Sequence, residues 1–176
     1  MPDEEPDWKR TWKENASAFD RVKSVTMMLT EPQPASWIAE EATVSPNTAR
    51  DHLRRLIDLG VVMPVDGDGG RRYYPDPLYT RLRDIRGLLD GSTKRQLSER
   101  AVELKREIAA WNDEYDADTP DALRERAAAD GVGADEAYEL VRTASDWELA
   151  RYRLSLLKNA IENYELWNAD RTSITP

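Results

Sequence analysis

The sequence predicts a mainly α-helical protein with one small β-element. Three observations carry that reading. Apolar residues recur at three- and four-residue spacing through most of the 176 residues. Extended character shows in one place only, where VVMPV (61–65) and RRYYP (71–75) flank the turn sequence DGDGG. Good N-caps stand where the periodic runs begin, and glycines follow where they end.

A polar lead (1–16) contains Trp8 and Trp12. Phe19, Val22, Val25 and Leu29 then mark an amphipathic helix, with Ser17 and Asp20 placed as a capping pair and EPQP (31–34) as its end. A short helix follows in ASWIAEEA, with Ile38, Ala39 and Ala42 facing inward. A tight turn through Thr43 and Val44 leads to a third helix, capped by Ser45, opened by Pro46 and stopped by Gly60. Ala49, Leu53 and Leu56 form its inner face. Beyond the extended runs, Leu78, Leu82, Ile85 and Leu89 repeat at helical spacing until Gly91 interrupts. Leu97, Ala101, Leu104, Ile108, Trp111 and Tyr115 form a heptad-like seam. Thr119 and Pro120 start another helix, Gly131 and Gly133 break the chain, and a last helix is expected from Ala134 to about Ala169. In it Trp147, Ala150, Leu154, Leu157, Ile161 and Tyr164 make a stripe that Leu149, Tyr152, Leu156, Ala160 and Trp167 widen. So wide a face is buried either in a multi-helix bundle or against a second subunit.

From 17 to 77 the order is helix, helix, turn, helix and two strands, the order of a winged helix-turn-helix. Small residues are needed where the paired helices cross, and Ala39, Ala42 and Ala49 supply them. WIAEEATVSPNTARDHLRRLIDLGVV (37–62), with RRYYP as the return strand of a wing, resembles the winged helix-turn-helix transcriptional regulators of the ArsR/MarR-like type, especially haloarchaeal ones. The resemblance covers about residues 17–90. It implies a DNA-binding domain over 17–90, and the apolar seams beyond it predict a coiled-coil-like helical dimerisation region over 91–176. The expected fold is thus mainly α with a small β-wing.

The resemblance further implies that Ser45, Asn47, Thr48, Arg50 and Arg54 face double-stranded DNA. Asn47 and Arg50 are the candidates for base edges, since Asn suits adenine and Arg suits guanine. Ser45, Arg54 and Arg55 suit phosphates, and Arg71 and Arg72 would carry the wing to the minor groove or backbone. Side chains alternate along a strand, so one of those two points away from DNA. Asp51 on the reading face, and Asp66 and Asp68 at the wing tip, depart from the pattern. Leu104, Ile108, Trp111, Trp147, Leu154, Leu157, Ile161 and Tyr164 are the expected homodimer interface.

Composition bounds these expectations. The net charge is −9, whereas nucleic-acid binders are usually basic. Arginine supplies 19 of the 25 basic residues, and the acidic excess resembles proteins of extreme halophiles. In molar salt the Debye length falls to about 3 Å, so net charge decides little. Its distribution says more: residues 71–106 hold ten basic against five acidic residues, and 107–176 hold seven against sixteen. The chain has no Cys and one His, which leaves no disulfide, no thiolate site and no metal motif. His52 is read as a packing residue. Nucleotide-binding loops and a paired nucleophile and base are missing, so neither an enzyme nor a cofactor is expected. No residue pattern supports a small-molecule effector. No apolar run spans a bilayer, and the acidic opening MPDEEPD fits neither a secretory signal nor a transit peptide. A cytoplasmic protein is expected. The competing reading is a winged-helix protein-interaction module that does not read DNA; the acidic wing tip and C-terminal third favour it, and the basic block opposes it.

Overall fold

The computed structural model describes residues 11–167 except Lys13 and Asp68. Trp8, Asp68 and the expected end of the last helix at Asn168 and Ala169 lie outside the described residues. The chain is mainly helical with one small antiparallel sheet, and it divides into two compact units, Met1–Leu82 and Arg83–Pro176.

The core of the first unit is built on α1 (Ala18–Met27), α2 (Ala35–Glu41) and α3 (Pro46–Asp58). Its strands are β1 (Gln33–Pro34), β2 (Val62–Gly67) and β3 (Gly70–Pro75). Ser17 caps α1, accepting from the backbone of Asp20 at 3.1 Å and donating to its carboxylate at 2.6 Å. At the far end of α3, Gly60 takes φ 66°. There Val61 N donates to Leu56 O at 2.9 Å and Gly60 N to Ile57 O at 2.8 Å, the paired bonds of a Schellman stop. Val22, Ile38, Ala39, Ala42, Ala49, Leu53, Leu56 and Val62 form a fully buried core, with Trp12 and Phe19 against its edge. Trp12 therefore belongs to the core periphery and not to a detached lead.

The sheet runs in the order β1-β3-β2. Val62 lies opposite Pro75, and the ladder continues to Gly67 opposite Gly70. Pro64 is tolerated because β2 is an edge strand. The third strand was not legible in the sequence. Gln33 and Pro34 pair with Tyr73 and Arg72, so EPQP not only ends α1 but also ties the hairpin to the start of α2.

α4 (Pro77–Leu89) crosses from one unit into the other. The division thus falls before residue 90, because Ile85 and Leu89 are buried with helices of the second unit. Leu78 and Leu82, expected in the same seam, are exposed. The second unit continues with α5 (Lys94–Tyr115), α6 (Pro120–Ala127) and α7 (Ala134–Glu162). A reciprocal capping box of Thr93 and Gln96 starts α5, and Thr119 caps α6. Arg124 of α6 pairs with Glu148 of α7 and with Asp121, and these two carboxylates, Glu148 first, raise its pKa above the ordinary guanidinium value.

Within this unit α7 packs on α5 and α6, and the inner part of the wide stripe is filled from the same chain, while Leu149 and Tyr152 at its margin stay exposed. Trp147 is completely buried with Leu123 and Ala144, its ring 6.1 Å from that of Trp111. Leu154 and Leu157 are buried with Leu97 and Ala101, while Leu104, Ile108, Ile161 and Tyr164 lie half-buried around them. This corrects three of the eight expected interface residues. Trp147, Leu154 and Leu157 have almost no surface to offer a second subunit, because helices of the same chain already cover them. Among the described residues no helix is long and apolar enough to cross a membrane.

Candidate nucleic-acid interface

Six of the eight residues expected to face DNA lie on α3 or cap it. The turn before α3 sets how the helix begins. Thr43 takes φ 52°, a left-handed conformation uncommon for a β-branched residue. The next residues return to extended backbone, and Ser45 (ψ 151°) accepts from Thr48 N at 3.1 Å. The Ser45 and Thr48 hydroxyls also bond each other at 2.8 Å. Their first role is therefore to build the helix start, and Thr48 is half-buried.

Ala49, Leu53 and Leu56 point into the core, which leaves Asn47, Arg50, Asp51 and Arg54 together on the exposed face. Asn47 Oδ1 accepts from Arg50 Nη1 at 3.1 Å, so the two candidate base readers orient each other. Arg54 reaches Asp51 at 3.4 Å. Both partners are exposed, and pairs of this kind are worth about 0–1 kcal/mol, so Arg54 exchanges partners readily. Asp51 thereby acts as a tether for Arg54 as well as an acceptor. Arg55 departs from the expected phosphate set. Its guanidinium lies 5.0 Å over the Phe19 ring of α1, a cation–π contact that draws it off the Asn47–Arg50–Arg54 face. Phe19 also meets His52 edge-on at 5.7 Å, placing that histidine in packing.

The hairpin arginines separate as strand alternation requires. Arg71 shares parity with the buried Tyr73 and Pro75, beyond the core, and faces Asp66 directly across the ladder at 3.8 Å. Arg72 lies on the other side with Tyr74 and donates to Pro32 O at 3.3 Å, and the Tyr74 hydroxyl donates to Thr30 O at 3.5 Å. The two hairpin arginines are thus held locally, one by an acid and one by a backbone carbonyl.

One positioning residue escaped the sequence reading. Arg21 of α1 is buried, and its guanidinium donates to Ala42 O at 2.9 Å, Ala16 O at 2.7 Å and Thr43 O at 3.4 Å. It therefore clamps the turn that launches α3. The one available signal was its spacing, four residues before Val25 and four after Ser17 on the inner side of α1.

Among the described residues no group of His, Asp or Glu is placed to hold a metal ion. What the arrangement offers is a capped, rigid helix whose exposed face carries hydrogen-bonding side chains and nearly balanced charge. Fold and site together define a mainly helical protein with a small antiparallel sheet and one polar presenting helix. The chain belongs to the family of unknown function DUF7342, whose model matches residues 16–167 and so takes in both units. No curated protein matches it.

Proposed function

We propose that this protein is a cytoplasmic, sequence-selective DNA-binding transcription regulator of the winged helix-turn-helix type, acting as a homodimer with α3 in the major groove. One observation carries the proposal: Asn47 and Arg50, residue types that read adenine and guanine edges, stand mutually oriented on the exposed N-terminal half of a helix launched from a tight turn after α2. A three-stranded sheet closing beside α2, with a two-strand extension, adds the element that a wing requires. The test is a band shift with the protein's own promoter region in molar KCl. Arg50→Ala should then cost about 1–3 kcal/mol on the best site and relax preference at one base pair. Arg72→Ala should weaken all sequences alike, because a backbone contact carries no sequence information. Equal losses from both substitutions on specific and random DNA would remove the base-reading role of α3.

Salt offers a second check. Each phosphate contact normally contributes a log–log slope of about −0.9 through counterion release. The α3 face holds few cations, and Asp51 and Asp66 each share an arginine within it or beside it. Arginines that move to phosphate leave these carboxylates to take up cations, which offsets the release from DNA. Affinity measured by anisotropy across a KCl series should therefore show a shallow, flat or rising slope. A steep fall, with binding only at low salt, would mean ordinary charge attraction.

The same two ion pairs favour the second reading, a protein-interaction module, since they neutralise the arginines internally. Its signature is a failure to bind the promoter at any salt.

A further inference from the structure

The outer face of α7 carries an apolar line that the bundle leaves open. Tyr138, Val141, Leu149 and Tyr152 are 67%, 46%, 44% and 39% exposed, and Ser145 at their centre is exposed as well. These residues lie on one side of the helix, opposite Trp147. The line continues to Leu156, which is buried within the chain in the cluster that includes Ile85 and Leu89. Upstream of Leu156, described residues leave the line open to solvent.

The spacing of the line points to its occupant. From Tyr138 the steps are three, four, four and three, which reads the same from either end. An isologous contact must be self-complementary, each patch meeting its own copy. Two α7 helices laid antiparallel with Ser145 on the dyad place Tyr138 in the layer of the partner's Tyr152 and Val141 in that of the partner's Leu149. The small residue falls where the helices approach closest. Charge agrees with this arrangement. Arg142, which pairs with Glu139 of its own helix at 3.6 Å, and Asp146 lie exposed on one flank, and the dyad sets each within about 3 Å along the axis of the other in the second copy. Two of the polar groups in the line, at Ser145 and Tyr152, already have partners, and the Tyr138 hydroxyl lies at its end beside solvent. Ser145 Oγ donates to Val141 O at 2.9 Å, and the Tyr152 hydroxyl donates to Asp84 Oδ2 at 3.2 Å, so covering these two strands no donor.

We infer that the Tyr138–Tyr152 face of α7 is the homodimer contact, with a second copy of this chain as its partner in an antiparallel α7–α7 pair. The inference deepens the homodimer part of the proposed function and replaces the buried seam as the interface. It does not depend on α3 reading DNA.

The natural chain has no cysteine, which makes one introduced thiol decisive. A residue on the dyad meets its own copy, within the Cα separation of roughly 4.4–6.8 Å that a disulfide requires. Full-length Ser145→Cys, oxidised gently at low micromolar concentration in molar KCl without DNA, should convert mostly to covalent dimer. Lys158→Cys, exposed on the same helix off the line, should stay largely monomeric. Light scattering should give twice the chain mass for wild type and the single mass for Leu149→Glu, whose helical circular dichroism should be unchanged because Leu149 packs at the surface. A monomeric wild type, or a Ser145→Cys that links no faster than Lys158→Cys, overturns the proposal. Because no DNA is present, either failure leaves the reading of α3 standing, and loss of promoter binding by Arg50→Ala leaves the cross-link standing.

Discussion

Trp147→Ala is expected to destabilise the second unit by about 3–5 kcal/mol, the usual cost of truncating a fully buried Trp. The side chain is completely buried between α5, α6 and α7, against Leu123, Ala144 and Trp111. Alanine leaves most of that space empty, and the void adds to the lost burial. The indole N–H sharpens the prediction. Trp147 Nε1 is buried and finds no acceptor among the described residues. A buried donor left unpaired costs about 1–3 kcal/mol, so Trp147→Phe gives up volume but also removes that penalty. Its loss should be clearly smaller than that of the alanine variant. Denaturant unfolding followed by circular dichroism in molar KCl separates the two variants. If alanine costs no more than phenylalanine, Trp147 does not organise this core.

The contrast between the two units shows what the sequence made legible. Local signals carried the first unit. Ser45, Pro46 and Gly60 punctuate α3, and the turn sequence between VVMPV and RRYYP marks the hairpin, because caps and turns act within a few residues of themselves. Non-local pairing was hidden. Two residues of EPQP become β1 only because β3 presents a free edge, and no periodicity in Gln33 and Pro34 announces it. In the second unit, apolar spacing showed that α5 and α7 bury wide faces but not against what. Periodicity gives the direction of a buried face and leaves its partner open, so it cannot distinguish a second subunit from α5 of the same chain, which covers Leu154 and Leu157. The candidate site divides in the same way. Asn47, Arg50 and Arg54 follow from helical geometry alone, whereas the stacking of Arg55 on Phe19 and the clamp of Arg21 depend on how α1 crosses its neighbours.

Arg21→Met is expected to cost about 3 kcal/mol of stability, since hydrogen bonds to a charged group contribute roughly 1.5–3 kcal/mol each and do not add fully. Methionine keeps the buried stem and loses every donor. The carbonyls of Ala16, Ala42 and Thr43 then lose the guanidinium that gathers them. Thr43 makes the turn sensitive to that loss. A non-glycine residue held in the left-handed region costs on the order of 1–3 kcal/mol and persists only where its surroundings enforce it, and Thr43 sits there at φ 52°. Without the clamp, Thr43 relaxes toward ordinary backbone, and the Ser45 cap and the start of α3 shift with it. Arg21→Lys should recover only part of the loss, because one ammonium cannot span three carbonyls as the planar fork does. The consequence extends to the proposed DNA contact. Arg21 lies buried and does not reach the exposed face of α3, yet Arg21→Met should weaken promoter binding even at temperatures where the protein stays folded, because Asn47 and Arg50 ride on the helix start that the clamp aligns. Unfolding curves for the three proteins, with promoter affinity measured well below their melting temperatures, test both halves. An Arg21→Met protein as stable as wild type would show that the guanidinium does not hold the turn. A destabilised one with full affinity would show that the turn does not align the helix.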